Sequence, residues 1–123
     1  MKPQKNNARV FKAKRFSRDA TKARISDAEL VRAIREVMMG QAIDLGGGVY
    51  KKRLNKNEHR SIILAKGGNF WIFQYLFAKK DLDNIAIDDL LLLKTLASRY
   101  GSMTLFQLNE LVETNELQEI FYD

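Results

Sequence analysis

The eleven-residue run from Tyr50 to Arg60, YKKRLNKNEHR, carries five cations, Lys51, Lys52, Arg53, Lys56 and Arg60. A phosphoryl-transfer transition state spreads negative charge over its oxygens, so preorganised cations at the phosphate supply most of what a protein can contribute. Arg60, with a planar fork, suits bidentate contact with a phosphate. Lys51 and Arg53 are two apart and project from one face if the run is a strand, where a phosphate would bridge them. The plainer reading is a charged edge strand that resists aggregation, and composition alone does not separate the two.

The charge of the whole chain favours a polyanion. Residues 1–60 hold 16 Lys/Arg against 6 Asp/Glu, a balance of +10, whereas residues 61–123 hold 5 against 9, a balance of −4. Such clustering is the footprint of nucleic-acid binding, although an acidic protein would answer the same field. Cysteine is absent, which removes a disulfide framework, a thiolate nucleophile and the cysteine-based zinc sites; His59 is the sole histidine, so no metal site is expected. No apolar run approaches the ~18 residues of a membrane span, and the basic start MKPQKNN leads into no apolar segment. The expectation is a soluble, cytoplasmic protein of one domain, with no membrane partner and no cofactor.

The cations must be positioned by the elements around them. Residues 1–8 read as a disordered basic arm, interrupted by Pro3. Val10 to Phe16 reads as a first strand, and Ser17 to Ile25 as a basic, helix-tolerant stretch. Ser26-Asp-Ala-Glu29 is a capping box that opens a helix over about 27–39, with Leu30, Ile34, Val37 and Met38 on one stripe and Gly40 as its stop. Gly46-Gly47-Gly48 reads as a turn, since neither a GxxxxGK[ST] nor a GxGxxG pattern accompanies it. Three strands follow, Val49–Leu54, Ser61–Ala65 and Phe70–Phe77, the last two joined by the hairpin signal Gly67-Gly68-Asn69. Trp71 and Tyr75 are of a type that stacks on RNA bases, but in so apolar a strand they read as core. Helical period returns from Asp83 to Tyr100, and Thr104-Leu-Phe-Gln107 caps a last, acidic helix continuing toward Phe121. The order β-α-β-β-β-α-α is an α+β fold, a small antiparallel sheet of about four strands with helices packed on it.

The blocks IDLGGGVYKKRL, HRSIIL and FWIFQYLFAKKDLDNI resemble the RelE/ParE superfamily of bacterial toxins, in particular its RelE-like branch. The resemblance covers about residues 9–101, leaving 102–123 as an acidic helical extension. It implies a toxin of a type II toxin-antitoxin system, partnered by an antitoxin, that enters the ribosome and cuts mRNA. In such endoribonucleases the ribose 2′-OH attacks the neighbouring phosphate without a metal, leaving a cyclic phosphate and a 5′-OH. The family's spacing of tyrosine, cations and a later arginine falls on Tyr50, Lys51, Arg53 and Arg60, and its basic residue after the next strand on Lys79 or Lys80. Catalysis is then expected from Lys51, Arg53, Arg60 and Lys80, with Lys80 at the leaving oxygen. RNA contact is expected from Lys52, Lys56 and Lys79, and from Lys12, Lys14 and Arg15 of the first segment.

Two departures matter. Arg53 stands where the family has a lysine able to act as base, and an arginine does not give up its proton at physiological pH. Lys51, Lys52 or His59 must then serve, a lysine among cations losing its proton more readily and histidine titrating near neutrality. The family's tyrosine after the last strand has no counterpart, because Asn84-Ile85-Ala86 stands there. The alternatives are a ParE-like toxin that inhibits DNA gyrase without catalysis, and a silent module that binds RNA or antitoxin.

Overall fold

The computed structural model describes residues 8–66, 70–81 and 87–122. The expected arm, the Gly67–Asn69 turn and the Asn84–Ala86 segment lie outside the described residues. The elements are β1 (Arg9–Ala13), α1 (Lys14–Lys22), α2 (Asp27–Met38), β2 (Ile43–Gly46), β3 (Val49–Leu54), β4 (His59–Lys66), β5 (Phe70–Ala78), a 3₁₀ turn (Lys79–Asp81), α3 (Ile87–Gly101), α4 (Leu105–Glu113) and β6 (Leu117–Ile120). The strands form one sheet in the order β2-β3-β4-β5-β1-β6. All neighbours are antiparallel except β1 and β5, which run parallel. The fold is α+β, as expected, with six strands among the described residues instead of about four.

The first strand ends at Ala13, three residues earlier than its alternation suggested, and α1 begins at once. Phe16 and Ala20, one helical turn apart, are the buried residues of α1, and the Phe16 ring packs on Phe73 at 5.1 Å between centroids. Burial at that spacing favours a helix over a longer strand. Three helices close alike. After α1, α2 and α4 the backbone N–H groups of Arg24 and Ile25, Gly40 and Gln41, and Asn115 and Glu116 bond back to carbonyls of the last turn. The left-handed residue of each closure is Arg24, Gly40 or Asn115.

The closure at Asn115 corrects the last helix. Instead of continuing toward Phe121, α4 stops at Glu113 and the chain returns as β6, paired with β1 from Leu117↔Ala13 to Ile120↔Val10. Leu117 and Ile120 are both buried but point to opposite faces of the sheet, so their three-residue spacing imitates a helix. Arg9 locks this edge: its Nε and Nη2 donate to the two Glu119 carboxylate oxygens at 2.9 and 2.8 Å, and Nη2 also donates to Asn109 Oδ1 at 3.0 Å.

At the opposite edge, β2 pairs with β3. The segment IDLG lacks the run of β-branched residues that marks a strand, and its pairing comes from the hairpin that the glycines allow. Gly46, Gly47 and Gly48 all have positive φ, and α3 passes close by. A Cβ on Gly47 would lie 2.7 Å from Lys94 Cγ, and one on Gly48 would lie 2.2 Å from the Ala65 carbonyl oxygen. The glycines therefore do more than turn the chain, because they let the hairpin lie against α3 and β4.

Helices cover the two faces unequally. Lys12, Lys52 and Phe73 mark one face, met by α1 and α2 through Phe16–Phe73 and through the ion pairs Lys12–Asp27 and Lys52–Glu36, both 2.8 Å. The other face meets α3, where Tyr100 Oη donates to Gln74 Oε1 at 3.4 Å and Ala97 approaches Gly48. Beyond the reach of those α3 contacts, that second face carries the cations of β3 and β4.

Candidate active site

Antiparallel register brings the cations of the YKKRLNKNEHR run together. Arg53 is directly opposite Arg60, and Lys51 is opposite Ile62, so Lys51, Arg53 and Arg60 share one face across two strands. Two like charges in directly opposed positions repel, and an anion between them would relieve that repulsion. A cleft of about 470 Å³ opens at this point, lined by Gln41, Ala42, Ile43, Lys51, Lys52, Arg53, Arg60 and Lys79.

The turn between β3 and β4 sets the position of Arg60. Asn55, Lys56 and Asn57 are all left-handed, with φ of 55°, 54° and 72°. Asparagine tolerates that conformation, whereas lysine does so at a cost of about 1–2 kcal/mol. Several bonds hold the turn. The Glu29 carboxylate, expected to reach back to the start of α2, accepts from the Asn55 backbone N–H instead. Ser26 Oγ still accepts from Glu29 N–H at 3.2 Å, so the helix end and the turn share one residue. Arg60 Nη1 donates to the carbonyls of Asn57 and His59 at 3.1 and 3.2 Å, which pins the guanidinium over the turn. The Lys79 backbone N–H donates to Glu58 O at 2.8 Å and so brings the 3₁₀ turn to the same corner.

The remaining expected site residues divide between site and scaffold. Lys52 is tied into the scaffold: its ammonium donates to Gln41 O at 2.9 Å and pairs with Glu36 at 2.8 Å, although its stem lines the cleft. His59 is opposite Leu54, on the other face from Arg60. With its Nδ1 3.2 Å from Asn55 Nδ2, it lines a neighbouring hollow with Glu58, Ala78, Lys79 and Lys80. Lys79 thus borders both cavities, and Lys80 borders the second. Lys56 is exposed at the tip of the turn. Tyr50, the first residue of the run, faces away from the cleft and packs on Trp71 at 5.5 Å.

The three cations of the first segment are not equivalent. Lys12 is 9% exposed and its ammonium is satisfied by Asp27, so it belongs to the interior. Lys14 and Arg15 are exposed at the start of α1, Arg15 being 3.9 Å from Asp19. Period-two reasoning does not reveal the Lys12–Asp27 pair, since it joins residues of different elements. Sequence reasoning also missed Glu29 as the brace of the turn and Gln41–Ile43 as a wall of the cleft. The signal for the first was a glutamate at a helix start, which has more than one backbone N–H within reach.

The α+β sheet thus brings Lys51, Arg53, Arg60 and Lys79 to the lining of one open cleft. The family model described as RelE toxin of RelE / RelB toxin-antitoxin system matches residues 8–120, and the chain belongs to that family. It is a toxin of a toxin-antitoxin system, whose family implies an antitoxin partner. The match includes α4 and β6. No curated protein and no solved structure gives a match. Among the described residues, no helix is long and apolar enough to cross a membrane.

Proposed function

We propose that this toxin is a ribosome-dependent endoribonuclease that cleaves mRNA by attack of a ribose 2′-OH on the adjacent phosphate. The observation that carries the reading is the direct opposition of Arg53 and Arg60 with Lys51 on the same face. A phosphodiester bridging the two arginines would neutralise their repulsion, and the charge gained in the transition state would strengthen both contacts. In this reading Lys51, on the face of the two arginines, takes the 2′-OH proton, while Lys52 pairs with Glu36 and His59 faces the neighbouring hollow. The new P–O2′ bond forms as the P–O5′ bond breaks, and a lysine of the 3₁₀ turn, Lys79 or Lys80, gives a proton to the departing 5′ oxygen. Exposed Lys14, Arg15 and Lys56 add sequence-independent attraction to the RNA of the ribosome.

Induction in a bacterium followed by mapping of message 5′ ends tests the reading. New ends inside codons are expected, and they disappear with Lys51→Ala or Arg60→Ala at unchanged protein level. Intact messages accompanied by supercoiling defects would overturn it in favour of a gyrase inhibitor, and intact messages with ribosome binding alone would leave a silent binding module.

A further inference from the structure

One wall of the cleft is held from behind the sheet. Lys51 and Lys52 are neighbours on β3 and point to opposite faces, Lys51 to the face of the two arginines and Lys52 to α2. On that reverse face the Lys52 ammonium meets two acceptors, Glu36 Oε1 at 2.8 Å and the Gln41 carbonyl oxygen at 2.9 Å. The Gln41 backbone N–H in turn donates to the Glu36 carbonyl at 2.8 Å. Glu36, Gln41 and Lys52 thus close a ring of three contacts that ties the last turn of α2 and the start of the wall to β3.

That ring decides where the wall stands. Gln41, Ala42 and Ile43 line the cleft, and Ile43 is the β2 residue directly opposite Lys51. On its other side Lys51 is opposite Ile62 of β4. Directly opposed residues share a face, so the Lys51 stem stands between two isoleucines, Ile62 in the core and Ile43 51% exposed at the edge. Ile62 is fixed by the sheet around it. Ile43 belongs to a four-residue edge strand whose register shifts between Asp44 and Gly46, so its place depends on what anchors the chain on either side. After Ile43 the glycine hairpin lies against Lys94 of α3; before it, the anchor is the ring at Lys52. The Lys52 side chain is only 12% exposed, and burying an ammonium is costly even when it is paired. A methionine would fill the same space without that cost, but it would not hold the Gln41 carbonyl.

We propose that Lys52 is a positioning residue for cleavage: with Glu36 it holds Gln41 from the reverse face of the sheet, and so sets Ile43 beside Lys51 and fixes the wall of the cleft. The inference rests on the endoribonuclease reading above, in which Lys51 takes the 2′-OH proton, and adds how that side chain is aimed. Attack and proton transfer depend on close alignment, and a misplacement of about 1 Å costs on the order of a hundredfold in rate. Phosphate affinity depends instead on Lys51, Arg53 and Arg60, which stand on β3 and β4 and not on the wall. Lys52 also borders the cleft, so a direct contact with RNA is the competing role.

Single-turnover cleavage on programmed ribosomes at increasing toxin concentration separates the two. Lys52→Met should lower the saturating rate roughly ten- to a hundredfold and leave the half-saturating concentration within about twofold of wild type, the split expected when alignment and not binding is lost. Glu36→Ala, which keeps the cation, should lower the rate in the same way, and the double variant should be no slower than Lys52→Met alone. Lys52→Arg, which can donate to both acceptors, should keep most of the activity. Inorganic phosphate should raise the melting temperature of each variant as it does that of the wild type, because the three cations of the cleft remain. A raised half-saturating concentration in Lys52→Met beside normal cleavage by Glu36→Ala would overturn the proposal and give Lys52 a direct contact with RNA. Wild-type rates in both variants would overturn it too. Loss of the phosphate effect in both would reduce the pair to a support of the fold. If the wild-type toxin leaves the message intact, the nuclease reading itself fails, and the positioning role with it.

Discussion

Arg53 and Arg60 stand directly opposite each other across β3 and β4, with no carboxylate among the described residues that line their cleft. Their mutual repulsion is a stability cost that a bound anion would relieve. Arg53→Gln should therefore raise stability, by a few tenths of a kcal/mol up to about 1 kcal/mol at low salt. Inorganic phosphate should raise the melting temperature of the wild type more than that of the variant, because only the wild type presents both guanidinium groups. Thermal melts with and without phosphate check both statements.

Glu29 links α2 to the turn that carries Arg60. Removing a half-buried charged acceptor leaves the Asn55 N–H unpaired, so Glu29→Ala should cost about 2 kcal/mol, and Glu29→Gln, which can still accept, clearly less. Denaturant unfolding measures the difference. Cleavage by the alanine variant should fall even at temperatures where it remains folded, because the turn no longer holds the guanidinium.

Alkaline pH should weaken the fold in a defined way. Burial raises the Tyr100 hydroxyl above the usual tyrosine value of 10.0, with the nearby Tyr75 hydroxyl and Glu116 adding to it. Burial also raises Tyr122, against a smaller opposing effect of Arg35. A raised value means that the folded state holds its proton more tightly than the unfolded chain. The associated stability is complete below the unfolded value and is lost as pH rises through the folded one. Stability should thus decline above about pH 10, and Tyr100→Phe should flatten that decline. Equilibrium unfolding across the alkaline range, in wild type and variant, makes the comparison.

Much of the site was legible because a strand has a fixed period. Lys51 and Arg53 share a face by alternation, and the same rule turns His59 away from Arg60. What alternation does not contain is interruption. The register of β5 on β4 shifts between Ile62 and Ile63, with Gln74 as the extra residue, and nothing in the run FWIFQYLF marks the place. Contacts between distant elements were equally hidden: Asp27 removes Lys12 from the surface, Glu36 holds Lys52, and Glu29 serves a turn instead of its own helix end. In the fold, α2, β3 to β5 and the cap at Thr104 followed from local signals. By contrast, β2 and β6 are short edge strands defined by their partners, and Leu117 and Ile120 imitate a helical spacing because both faces of that edge are covered.

The central claim is that the cationic face of β3 and β4 promotes attack by a ribose 2′-OH. Its most direct test is cleavage on a programmed ribosome of a message with a single 2′-deoxy nucleotide at the attacking position, beside the unmodified message. The account predicts cyclic phosphate and 5′-OH ends from the unmodified message and no cleavage at the deoxy position. Cutting of the deoxy message at a comparable rate, or products with a 5′-phosphate, would contradict it.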